Sequence, residues 1–137
     1  MDEKMKQNLL YETESYKIRG SCFKVFNNLG GGIKENIIQK ALCNELLTAG
    51  LKIEKEKRIN IYYNGEKIGV YIPDIIIGDK ILVELKSKPF ISTQDKKQFW
   101  GYLKNSEYQL GFLINFSPKE LIINRFIHTN KDKILSV

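Results

Sequence analysis

No apolar run in this chain is long enough to span a bilayer, because lysines, glutamates or glycines interrupt every hydrophobic stretch. The opening Met1-Asp2-Glu3-Lys4-Met5-Lys6 lacks the apolar block of a signal peptide. Only two cysteines occur, Cys22 and Cys43, both inside helical patterns and at a spacing that fits no zinc site. They are expected to be reduced core residues. These absences predict a cytoplasmic protein with no membrane partner. The single histidine, His128, sits near the end of an apolar run, where a packed or surface ring is expected rather than a catalytic one. Internal repeats, low-complexity tracts, nucleotide-binding glycine loops and nucleophile elbows are all missing.

What remains is 137 residues, 42% of them hydrophobic, enough for one domain with its own core. The net charge of +6 favours polyanionic partners such as nucleic acid, although many unrelated small domains are as basic. Residues 1–12 are polar and are expected to form a flexible N-terminal segment, residues 13–129 the domain, and residues 130–137 a polar C-terminal tail.

From about Thr13, Ile18, Cys22, Phe26 and Leu29 recur at three- and four-residue spacing, the period of a helix buried on one face. Gly30-Gly31-Gly32 must end it. A second helix carries adjoining rows of Ile33, Ile37, Ala41 and of Ile38, Leu42, Leu46, with Gly50 at its C-terminal end. Glu35 lies in its first turn, where interaction with the helix dipole is sufficient to explain a carboxylate. The period then changes to two. Ile59, Ile61 and Tyr63 alternate with polar neighbours, and Asn64-Gly65 signals a tight hairpin that would pair Ile61 with Ile68 and Ile59 with Val70. That register puts those residues on one face with Ile72 and Asp74.

Pro73-Asp74 to Glu84-Leu85-Lys86 reads as two apolar strands joined around Gly78-Asp79, yet it carries an aspartate, a glutamate and a lysine. Charges in or beside a hydrophobic sheet are costly unless paired or bound to a metal. A two-residue loop would turn Glu84 away from Asp74. A three-residue loop, Gly78-Asp79-Lys80, would set the two opposite each other with Lys86 on the same face. The sequence permits both; we expect the second because it gathers the charges. A structural salt bridge and a catalytic centre both remain open for this trio. Ser92 to about Asn105 then reads as a helix capped by Ser92 or Thr93, with Gln98 and Tyr102 on one face and Phe99 and Trp100 serving the core or a groove. A buried strand, Gln109 to Phe116, a turn at Ser117-Pro118 and a last strand, Leu121 to His128, complete the pattern.

This order of elements, with Pro73-Asp74 and Glu84-Leu85-Lys86, resembles the PD-(D/E)xK nuclease superfamily. More closely, residues from about Leu9 to Phe126 resemble the GxxExxY proteins. The name motif of that group corresponds to Gly32-Ile-Lys-Glu35-Asn-Ile-Ile38, with Ile38 in place of its tyrosine. Its Asp and Glu-Leu-Lys match Asp74 and Glu84-Leu85-Lys86, its Gln…Tyr helix matches Gln98 and Tyr102, and its characteristic strand resembles residues 111–116. The resemblance implies an α/β, restriction-endonuclease-like core with a central mixed β-sheet flanked by helices.

It also implies a divalent-metal-dependent nuclease acting on DNA or, less expectedly, RNA. Asp74, Glu84, the Leu85 carbonyl and Glu35 would hold Mg²⁺ or Mn²⁺, as hard cations require oxygen donors. Lys86 would orient or help deprotonate the attacking water, and Gln98 would position the scissile phosphate. Tyr102 would brace its helix or contact the nucleic-acid backbone, and Lys88, Lys96, Lys97 and Lys104 would neutralise phosphates. A nuclease-fold module that binds nucleic acid with little or no catalysis is the alternative, as is an interaction protein of a repair or defence assembly. A homodimer is compatible with a domain this small.

Overall fold

The computed structural model describes residues 2–129, apart from the side chains of residues 7–9, so the expected tail at 130–137 lies outside the described residues. The opening segment, expected to be flexible, carries a short helix, α1 (Glu3–Leu9). Helix α2 (Glu12–Leu29) follows, burying Ile18, Cys22 and Val25 along one stripe while Leu29 at its end stays exposed. Both cysteines are free and buried, and burial pushes the Cys22 thiol up to about 12.

The three glycines after α2 end the helix and also dock it. Gly30 turns the chain with a positive φ, its N–H returning to the Phe26 carbonyl at 2.8 Å. A Cβ on Gly31 would lie 1.8 Å from the Ser117 carbonyl oxygen, so only glycine permits this approach. The Gly32 N–H donates to the Phe116 carbonyl at 2.8 Å. Helix α3 (Glu35–Thr48) then buries Ile38, Leu42 and Leu46 completely. The second apolar row expected on this helix is interrupted: Ile33, just ahead of α3, and Ala41 pack against the core, and Ile37 between them faces solvent.

Among the described residues seven strands follow: β1 (Ile53–Lys55), β2 (Ile59–Tyr63), β3 (Glu66–Tyr71), β4 (Ile75–Ile77), β5 (Ile81–Lys86), β6 (Leu110–Phe116) and β7 (Leu121–Ile127), with helix α4 (Thr93–Lys104) between β5 and β6. Five form a mixed sheet in the order β1-β4-β5-β6-β7, in which only β5 and β6 run parallel. Antiparallel neighbours need only short turns, whereas a parallel pair needs a crossover, and α4 supplies it. Strand β1, not expected from the sequence, is a short edge strand. The fold is therefore α/β with a central mixed sheet flanked by helices.

The sheet is buried on both faces, which is why β4 to β6 read as near-continuous apolar runs. Ile75, Ile77, Ile81, Val83, Leu85, Phe112 and Ile114 pack against α2 and α3. Ile76, Leu82 and Leu113 pack against Phe99 and Leu103 of α4 and against Ile59 and Tyr71. Each such residue stabilises the fold by about 1.5–3 kcal/mol relative to exposure. Glu84 and Lys86 have the parity of Leu82, so they face α4 at the end of β5.

Strands β2 and β3 form a separate ribbon on the α4 side. The Asn64-Gly65 turn is as expected, with Tyr63 paired to Glu66 and Tyr62 to Lys67. Beyond it the expected register fails. A bulge leaves Ile68 without a partner, so Ile61 pairs with Gly69 and Ile59 with Tyr71, rather than with Ile68 and Val70. One inserted residue exchanges the faces of the strand beyond it. Ile68 and Ile72 consequently point to solvent, and Tyr71 points inward. Among the described residues no helix is long and apolar enough to cross a membrane.

Candidate active site

The turn between β4 and β5 decides whether the charged residues meet. Ile77 pairs with Ile81 and Ile75 with Val83, which leaves Gly78, Asp79 and Lys80 as a three-residue loop. Gly78 and Asp79 both take positive φ, and the Lys80 N–H closes the turn on the Ile77 carbonyl at 3.0 Å. Continuing that register by one residue sets Asp74 opposite Glu84, the arrangement expected from the sequence.

Asp74 stands just before β4. Its Oδ2 accepts a 2.7 Å hydrogen bond from the Leu85 N–H, and its carbonyl accepts from Gln39 Nε2 of α3 at 3.0 Å. Leu85 lies beyond Val83, the partner of the first residue of β4, so its amide would lack a ladder partner on that edge; the Asp74 side chain provides one. The N–H and C=O of one extended residue point to the same strand edge. The Leu85 carbonyl therefore points toward the edge on which Asp74 stands.

Glu84, with the parity of Leu82, projects from the α4-facing side of β5. Its Oε1 accepts from the Tyr71 hydroxyl at 2.7 Å, and its Oε2 lies 3.9 Å from Lys86 Nζ. Burial, and next the negative charge of Asp74, raise its carboxyl to about 7; the Tyr71 hydrogen bond and Lys86 pull it back. Asp74 is raised as well, by burial first, against the Leu85 N–H and Lys86. Two half-buried carboxylates that each disfavour ionisation, beside a backbone carbonyl, are a donor set that a hard divalent cation would relieve of its repulsion.

Glu35, at the first residue of α3, is brought within electrostatic reach of the same charges. Partial burial raises its carboxyl, Lys86 lowers it, Asp74 raises it and Lys88 lowers it. The start of α3 is tied to the end of β5 by the Ser87 hydroxyl, which donates to the Ile33 carbonyl. Among the described residues, however, no group of three His, Cys, Asp or Glu side chains is arranged to hold a metal. The β4–β5 register thus gathers the oxygens of Asp74, Glu84 and Leu85, and Glu35 approaches the same charges from the start of α3. Ile38, where the GxxExxY motif has tyrosine, is fully buried in the core.

A cavity of about 200 Å³ opens beside Glu84, lined by Tyr71, Lys86, Asp95, Gln98, Phe99, Tyr102 and Leu113. Helix α4 contributes one face of it, because residues 95, 98, 99 and 102 recur at three- and four-residue spacing. A capping box starts the helix: Ser92 Oγ accepts the Asp95 N–H, and Asp95 Oδ2 accepts the Ser92 N–H, both at 3.0 Å. Tyr102 stacks on Tyr71 with ring centroids 4.0 Å apart and planes 10° from parallel. Gln98 and Tyr102 are therefore brought to the carboxylates.

The lysines divide. Lys88 forms an ion pair with Asp95, and its backbone is clasped on both sides by the Asn115 amide at 3.1 and 2.8 Å. Its ammonium, first, and the Ser92 N–H hold Asp95 down at about 2. Lys96, Lys97 and Lys104 are exposed on α4 and do not line the cavity. At 100° per residue, Lys97 and Lys104 stand on the side of the helix away from the Asp95–Tyr102 row. His128 packs its ring edge-on against Trp100 at 5.3 Å.

Three residues of the site were not anticipated. Asn115, a fully buried amide in an otherwise apolar strand, was a visible signal. Asp95, three residues after Ser92, has the capping-box spacing. Tyr71 had one weak signal, Gly69 within the strand pattern, which allows the bulge at Ile68 that turns Tyr71 inward.

No curated protein and no solved structure matches the chain. The family model described as the PD-(D/E)XK nuclease superfamily matches residues 12–126, a span that holds every element from α2 through nearly all of β7 and the whole of the site. With that match across most of its length, the chain belongs to the PD-(D/E)XK nuclease superfamily.

Proposed function

We propose that this protein is a divalent-metal-dependent nuclease that hydrolyses phosphodiester bonds in nucleic acid, DNA before RNA. The observation that carries this reading is the meeting of Asp74 and Glu84 across the Gly78–Lys80 turn, with Lys86 beside Glu84. Nucleases of this superfamily typically use divalent metals, and the Asp74, Glu84 and Leu85 oxygens suit Mg²⁺ or Mn²⁺. A cation held there polarises a phosphoryl oxygen and lowers the pKa of water. Lys86 orients or helps deprotonate the attacking water and offsets the negative charge on the phosphoryl oxygens of the transition state. The Gln98 amide, on the facing helix, positions the phosphate. Glu35, from the start of α3, is the candidate for an extra carboxylate at the cation, and Lys88 and Lys96 neutralise neighbouring phosphates. Gly32 and Glu35 support placement in the GxxExxY group. The expected setting is the cytoplasm, and a homodimer would double the footprint of so small a domain on a duplex.

The lack of a three-carboxylate group among the described residues favours one second reading, a nucleic-acid-binding module with little or no catalysis. One experiment separates them. Linear, nicked, branched and single-stranded substrates are incubated with Mg²⁺ or Mn²⁺, beside Asp74→Ala and Lys86→Ala variants. Cleavage by the wild type, lost in both variants, supports the nuclease. Salt-dependent binding without cleavage, unchanged in Asp74→Ala, supports the binding module. Equal cleavage by all three proteins overturns the assignment of Lys86 and Asp74.

A further inference from the structure

Tyr71 is placed by a device that nothing in its own strand period requires. Without the extra residue at Ile68, Ile59 would pair with Val70 and Tyr71 would face solvent. With it, Tyr71 is 9% exposed, and its ring lies flat against Tyr102. Its hydroxyl ends 2.7 Å from Glu84 Oε1. The ribbon is held to α4 at a second point, where the Tyr62 N–H donates to the Asn105 carbonyl at 2.9 Å. Both ends of the geometry are thus anchored, the ring by stacking and the strand by a backbone bond.

We infer that Tyr71 is a positioning residue for Glu84, and that Tyr102 acts on the site through Tyr71. A glutamate side chain has three rotatable bonds, and a carboxylate left free must be ordered when a ligand arrives. The Tyr71 hydroxyl fixes Oε1 beforehand and leaves Oε2, on the Lys86 side, for the cation. A hydroxyl donor suits this task because it satisfies one oxygen without adding a charge that would repel the ion. Hydrogen-bonding partners of ligating carboxylates commonly change metal affinity 10- to 100-fold when removed.

This inference rests on the metal-binding reading of Asp74 and Glu84, and its test distinguishes the two. Mn²⁺ binding to the intact chain is measured by titration calorimetry for the wild type, Asp74→Ala, Tyr71→Phe, Tyr102→Leu and the Tyr71→Phe/Tyr102→Leu double variant. Tyr71→Phe keeps the ring and the stack, so its urea midpoint stays near that of the wild type while Mn²⁺ affinity falls about 10-fold or more. Tyr102→Leu weakens Mn²⁺ binding less, and the double variant binds no worse than Tyr71→Phe alone, the signature of one residue acting through the other. Wild-type affinity in Tyr71→Phe, with binding lost in Asp74→Ala, overturns the role of Tyr71 and leaves the metal site standing. Additive losses overturn the link through Tyr102. No Mn²⁺ binding by the wild type overturns both this inference and the metal-binding reading.

Discussion

The Asp74 carboxylate accepts the Leu85 amide at 2.7 Å, filling the position of a further rung of the β4–β5 ladder. The same side chain therefore serves the backbone and the proposed cation. Asp74→Asn and Asp74→Ala separate the two roles. Asparagine keeps an acceptor for the Leu85 N–H, so its stability is expected within about 1 kcal/mol of the wild type. Alanine leaves that N–H without its partner and loses about 1–3 kcal/mol. Mn²⁺ binding is lost in both. Urea denaturation and calorimetry on the two variants check this.

Glu84 makes stability depend on pH in a direction opposite to that of most carboxylates. Its folded value, about 7, lies above the ordinary 4.5, so the folded state holds this proton more tightly than the unfolded chain. The stabilisation from this group is full below about pH 4.5 and is lost as pH rises through about 7. Glu84→Gln, which stays neutral, removes the slope. In metal-free buffer, urea midpoints from pH 4 to 8 should show the wild type losing on the order of 2 kcal/mol relative to Glu84→Gln.

Asp95 titrates the other way. Held at about 2 by Lys88 and the Ser92 N–H, it contributes stability that is present above the ordinary carboxylate value of 3.8 and lost as pH falls through about 2. In Lys88→Met, Asp95 should titrate nearer 3.8, and the acid limb of the stability profile should move up with it. Carboxyl carbon shifts followed by NMR between pH 1.5 and 6 check both.

Gly31 and Gly20 make a matched pair. An added Cβ at Gly31 meets the Ser117 carbonyl, whereas one at Gly20, within α2, meets nothing within 4 Å. Gly31→Ala is expected to destabilise by about 2–3 kcal/mol through forced backbone displacement. Gly20→Ala is expected to stabilise by about 0.5–1 kcal/mol through helix propensity. Thermal melts of the two variants should move in opposite directions.

Much of the site was legible because its determinants are local. The sequence permits two turn lengths between β4 and β5, and the three-residue one was expected because it gathers three charges on one face. Ser92, one of the two expected caps, sets the start of α4, and the α4 period puts Gln98 and Tyr102 on one face. Glycines 30–32 announce the end of α2 wherever they occur. The buried rows of α2 and α3 were partly legible, since periodicity shows that a face is apolar without showing how wide a stripe the sheet will cover. Ile37 and Leu29 mark that limit.

What only the tertiary structure decided is what depends on contacts between distant segments. Gly69, beside Ile68, is a local sign that a bulge is allowed, but it does not require one. The bulged register prevails where Ile59 and Tyr71 gain a face of α4 to pack against and Tyr71 gains the Glu84 carboxylate, more than thirty residues from one end of that arrangement to the other. Glu35 was placed by its helix alone, but its distance from the other carboxylates depends on how α3 meets the sheet. The lysines of α4 were assigned by proximity in sequence, and the helix turns Lys97 and Lys104 away. Pro73-Asp74 and Glu84-Leu85-Lys86 were written in the chain; the hydroxyl that holds Glu84 in place was not, because its direction is set by packing rather than by strand period.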